Sequence, residues 1–72
     1  MKGSEFLRRL KKLGKEKGIK VKLIEERGKG SHCTLEYGDH FTIIRNLKDE
    51  LKTGTYNAML KQLGISKKEF EV

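Results

Sequence analysis

The feature that most constrains this chain is a hydrophobic period that changes twice along it. Residues 5 to 13, "EFLRRLKKL", place Phe6, Leu7, Leu10 and Leu13 at helical spacing. Residues 19 to 26, "IKVKLIEE", switch to strand alternation, with Ile19, Val21 and Leu23 set against Lys20 and Lys22. Two further strand-like runs follow, "HCTLEY" and "FTIIR", separated by "GDH". The helical period returns in "TYNAMLKQLG", where Tyr56, Met59, Leu60 and Leu63 recur. A helix, three strands and a helix therefore follow one another. This is an α+β chain in which both helices can cover one face of an antiparallel sheet and leave the other bare.

Local signals fix the element ends. Ser4 is placed to cap the first helix, Glu5 suits the positive end of its dipole, and Gly14 or Gly18 can end it. Gly64 is a left-handed C-cap with Ile65 folding back over the last turn. Ser66 with Glu69 reads as a capping box opening a short final turn that carries Phe70. The hairpin offers two registers. A two-residue Gly38-Asp39 turn sets Tyr37 opposite His40 and mixes Leu35 with Thr42 on one face. A three-residue loop, Gly38 to His40, sets Tyr37 opposite Phe41 and Leu35 opposite Ile43, so that Cys33, Leu35, Tyr37, Phe41 and Ile43 share a face. The burial argument favours the longer loop. It sends His32, Thr34, Glu36 and Thr42 to the bare face, with Ile44 there as a misfit.

With 72 residues and no internal repeat or linker, the span 1–72 is expected to be one domain with a small core, burying about 60–65% of its unfolded surface. Any site would be open and surface-borne. One cysteine, Cys33, rules out an internal disulfide, and no apolar run is long enough for a signal peptide or membrane helix, so a cytoplasmic protein is expected. Cys33 reads as a small buried hydrophobe; as a nucleophile beside His32 it would point to the other face.

The net charge of +7 is lopsided. Residues 1 to 30 carry eleven Lys or Arg and four acids, whereas residues 31 to 72 carry six of each sign. A polyanion is the natural partner. The outward side of the first helix offers Arg8, Arg9, Lys11, Lys12 and Lys15, and the loop "RGKGSH" adds Arg27 and Lys29, with Gly28 and Gly30 letting backbone amides come close to a phosphate.

The chemistry available is sparse. There is no Cys-x-x-Cys, no His-Glu-x-x-His and no carboxylate cluster at ligand spacing, so neither a structural zinc nor a metal-dependent hydrolase is supported, and no cofactor motif is present. "GKGSH" is no P-loop, and Ser31 beside His32 makes no triad, because adjacent extended side chains diverge. What remains is His32 on an open face beside cations. RNA brings its own nucleophile, the 2′-hydroxyl, so an imidazole and a charge-stabilising group can cut it without metal. From spacing alone, three roles stay open for His32: acid–base catalyst, hydrogen-bonding contact to RNA, or structural residue.

"GSHCTLEYG", a strand, then "ELKTGTYNAMLKQLGIS", together with the opening "MKGSEFLRRLKKLG", closely resembles the HicA family (also described as YcfA-like) of prokaryotic toxin–antitoxin systems. The likeness covers nearly the whole chain apart from a slightly long segment around residues 15 to 28. The resemblance implies a double-stranded-RNA-binding-domain-like fold, mRNA interferase activity with His32 as the catalytic histidine, and a HicB antitoxin partner that covers the active site. The remaining candidates for holding RNA are Arg27, Gly28, Lys29, Gly30, Ser31, Arg45, Arg8, Arg9, Lys11 and Lys12. One departure stands out. Many members carry a Pro-x-His after the third strand, where this chain runs "TIIRNLKDEL". A second acid or base is missing there, or Arg45 stabilises charge instead. His40, expected in the hairpin loop at the far end of the strand, is no substitute. The rival expectation is a non-catalytic double-stranded-RNA-binding module. Against it, the lead-in to the second helix mixes Asp49 and Glu50 with Lys48 and Lys52, which weakens a phosphate clamp.

Overall fold

The computed structural model describes residues 1–25 and 32–71. Its elements run α1 (Gly3–Lys17), β1 (Val21–Glu25), β2 (Cys33–Tyr37), β3 (His40–Ile44), α2 (Thr53–Leu63) and α3 (Lys67–Phe70). The strands form one antiparallel sheet in the order β1-β2-β3. Both long helices pack on the same face, where Phe6, Leu10, Leu35, Ile44 and Leu63 form the dry centre of the core. Each fully buried side chain of this kind stabilises the fold by roughly 1.5–3 kcal/mol.

α1 is longer at both ends than its apolar repeat suggests. Ser4 is not its cap: the N-cap is Lys2, with no side-chain bond. The first-turn donors are met by the loop before α2 instead, Gly3 N–H donating to the Asp49 carbonyl (3.0 Å) and Ser4 N–H to that of Leu47 (2.8 Å). The helix also runs through Gly14 and stops at Gly18, whose φ of 69° is the left-handed value a C-cap needs. Gly14 is there for contact. A Cβ on it would lie 2.5 Å from Val21 Cγ2 and 2.7 Å from the Ile19 carbonyl oxygen.

The second half follows its sequence signals. Gly64 caps α2 at φ 72°, Ile65 N–H bonds back to the Leu60 carbonyl and is buried, and Ser66 and Glu69 complete a reciprocal capping box. Phe70 closes the core against the Phe6 and Tyr56 rings.

The hairpin corrects the expected register. Tyr37 pairs with His40, Leu35 with Thr42 and Cys33 with Ile44, so the turn is the two-residue Gly38-Asp39 and not a three-residue loop. His40 accordingly opens β3 and is no loop residue. Ile44 (1% exposed) and Thr42 (2%) face the helices, while Phe41 (60%) and Ile43 (54%) stand on the bare face, the reverse of the arrangement that burial alone favours. Two physical terms decide it. Gly38 at φ 61° occupies the first central position of a tight turn, the glycine placement whose twist matches paired strands. The buried Thr42 hydroxyl, which made this register look costly, is bonded to the Gln62 side-chain carbonyl.

Candidate functional site

The corrected register builds the site. The β2–β3 ladder ends at the Cys33–Ile44 pair, and His32 and Arg45 are the residues that adjoin that pair, one just before β2 and the other just after β3. In the longer-loop register Asn46 would have taken the place of Arg45. Both His32 and Arg45 are exposed. Because Cys33 and Ile44 point into the core, strand alternation turns the preceding and following positions to the bare face. An imidazole and a guanidinium thus flank the same end of the β2–β3 ladder, on a sheet whose second face no described helix covers.

Two more rows of that face are defined by the pairing. Ile24, Thr34 and Ile43 lie side by side, and beyond them Lys22, Glu36 and Phe41. Ile24 is 45% exposed, so the described chain's three exposed large hydrophobics all stand here. Sequence reasoning assigned Phe41 and Ile43 to the core; the glycine-first two-residue turn was the signal that could have placed them correctly.

The basic residues of α1 lie elsewhere. Arg8, Arg9, Lys11 and Lys12 are exposed, but α1 buries Phe6, Leu7, Leu10 and Leu13 against the covered face of the sheet, so its cations face away from His32. Arg9 is engaged by Glu5 (3.1 Å), one helical turn back. Arg27, Gly28, Lys29, Gly30 and Ser31 lie outside the described residues. Before α2, Glu50 is bonded to the amino group of Met1, and Lys48 N–H donates to the Asn46 side chain at 2.9 Å. A shallow cleft of about 270 Å³ opens there beside Arg45, lined also by Asp49, Glu50 and Lys52.

Cys33 is buried, and desolvation, with a smaller push from Glu25, moves its thiol pKa up. That makes it a poor thiolate nucleophile and agrees with a packing role. His40 lies over the α2 C-cap, its Nε2 3.3 Å from where a Gly64 Cβ would stand, at the opposite end of β3 from Arg45. Among the described residues no three His, Cys, Asp or Glu side chains gather to hold a metal ion, and no helix is long and apolar enough to cross a membrane.

A helix, a three-stranded antiparallel sheet and a second helix on one side of it form an α+β architecture of the double-stranded-RNA-binding-domain type. The family described as "HicA toxin of bacterial toxin-antitoxin" matches residues 3–65, and the chain belongs to that toxin family. Membership implies a cognate antitoxin. Neither a curated protein nor a solved structure matches the chain.

Proposed function

We propose that this toxin is an endoribonuclease that cuts mRNA in the cytoplasm, the span 1–72 acting as one RNA-binding and RNA-cleaving unit. The observation that carries the reading is an exposed His32 and an exposed Arg45 adjoining the last pair of the β2–β3 ladder, Cys33–Ile44. His32 takes the proton of a ribose 2′-hydroxyl as its oxygen attacks the adjacent phosphorus. The P–O5′ bond then breaks, leaving a 2′,3′-cyclic phosphate and a 5′-hydroxyl. With no second histidine on this rim, the proton for the 5′-oxygen comes from the same imidazole or from water. Arg45 offsets charge growing on the non-bridging oxygens. Arg27, Lys29 and the backbone of Gly28, Gly30 and Ser31 hold the phosphate, while Arg8, Arg9, Lys11 and Lys12, on the far side of the molecule, hold only RNA that wraps an edge. No step calls on a metal. A HicB-like antitoxin, acidic to suit the +7 chain, covers the His32 rim.

The test is incubation with single-stranded RNA in EDTA. The parent is expected to yield fragments ending in 2′,3′-cyclic phosphate, and His32→Ala to bind RNA without cutting it. Equal, salt-sensitive binding by both proteins with no cleavage would instead favour the non-catalytic RNA-binding module, the reading that the bare fold type supports.

A further inference from the structure

The bare face holds more than the His32–Arg45 rim. We infer that its Phe41 end is a stacking site for one unpaired nucleobase of a single strand whose phosphate sits at the Arg45 end, an inference that rests on the RNA reading above. Phe41 is 60% exposed, although an aromatic ring left in water forgoes a large burial gain unless something covers it. It lies four residues before Arg45, which follows the last residue of β3, a reach of up to about 14 Å at roughly 3.4 Å per residue. That reach is a few nucleotides, with Ile43 as an apolar step between.

Charge sets the polarity of the strand. Arg45 attracts phosphate at one end of the face, whereas Glu36, directly across from Phe41, repels it at the other. A carboxylate beside an aromatic ring suits a base edge: the ring takes the π-face and the oxygens accept from an exocyclic amino group. Lys22, on the far side of Glu36, stands one strand farther from Phe41 and offsets that repulsion only in part.

Three five-residue strands spaced about 4.8 Å apart give a flat footprint of roughly 250 Å², a size that suits a short single strand, whereas a standard protein interface would have to extend onto surface beyond the sheet. One or two bases fill it. An antitoxin that covers this face must draw most of its contact from outside it.

The test uses a short single-stranded 2′-O-methyl oligonucleotide, which has no free nucleophile and stays intact, alongside its duplex. Phe41→Ala is expected to weaken the single strand about tenfold and leave the duplex unchanged, the scale of losing one stacked base. Phe41→Trp should keep the affinity, and its emission, the chain having no other tryptophan, should be quenched when the single strand is added. Parental single-strand affinity in Phe41→Ala, equal loss for single strand and duplex, or unchanged Trp emission at saturation overturns the stacking site and leaves the face to a protein partner. The two readings fail separately. Cleavage lost in His32→Ala with parental binding by Phe41→Ala removes only the stacking; quenching without any cleavage removes only the reaction; a parent that binds neither probe removes both.

Discussion

Replacing Phe41 and Ile44 by alanine, one at a time, separates two hairpin registers that share nearly every other feature. In the observed register Ile44 is 1% exposed in the core and Phe41 is 60% exposed on the bare face. Truncating a buried isoleucine costs about 2–5 kcal/mol, whereas an exposed side chain away from special features changes stability by about 0.5 kcal/mol or less. For a chain of this length, total stability is on the order of 4–11 kcal/mol. Ile44→Ala is therefore expected to consume much of it and lower Tm by at least about 8 °C, while Phe41→Ala stays within about 4 °C of the parent. Ile44→Val, costing about 0.5–1.5 kcal/mol, gives a milder point on the same scale if the alanine variant is unfolded. Urea unfolding followed by far-ultraviolet circular dichroism suits a protein without tryptophan. Phe41→Ala as damaging as Ile44→Ala, with Ile44→Val neutral, would shift the register by one residue, put Asn46 in place of Arg45 beside the last pair of the ladder, and remove the geometric basis of the site.

Gly14→Ala should lower stability by about 1–2 kcal/mol net, because overpacking against Val21 and the Ile19 carbonyl outweighs the gain in helix propensity; Gly54→Ala, with open space around its Cβ and no positive φ, should be neutral or stabilising by up to about 1 kcal/mol, and thermal melts of the pair check both. Burial, then the hydrogen bond its hydroxyl donates to Glu71 (2.9 Å), pushes the Tyr56 pKa up to about 12. A phenol held neutral in the fold contributes stability that is intact below pH ~10 and is lost as pH rises through about 12, so Tyr56→Phe should flatten the alkaline limb of unfolding midpoint against pH, while Tyr37, also raised by burial, leaves a residual slope. The Cys33 thiol should react with iodoacetamide far more slowly in the native protein than in urea; equal rates would put it on the surface.

The order of elements was legible because the period changes from 3.6 to 2 and back, and the C-terminal caps because Gly64, Ser66 and Glu69 each act through local geometry. Three features were not. The start of α1 depends on carbonyls of Leu47 and Asp49, more than forty residues away in the chain, and no local cap signals it. Gly14 and Gly18 both read as possible helix stops; Gly18 is the cap, and Gly14 sits mid-helix where β1 leaves no room for a side chain, a contact with no local signal. The hairpin register was decided by weighing apolar burial above turn chemistry, and one satisfied hydroxyl, Thr42 on Gln62, was enough to reverse that balance. The register bears on the site directly. His32 was recognisable from its motif, but the exposed Phe41–Ile43 strip, and Arg45 as the residue that adjoins the same end of the ladder, followed only from the pairing.

The proposed role of the His32 imidazole as the proton carrier in RNA cleavage is open to direct test. Its most direct measurement is the single-turnover cleavage rate of one RNA by the parent and by His32→Ala, with both shown by circular dichroism to be equally folded. The expected result is a fall of about a hundred- to ten-thousandfold at unchanged RNA affinity. Rates within a factor of two of each other would contradict it.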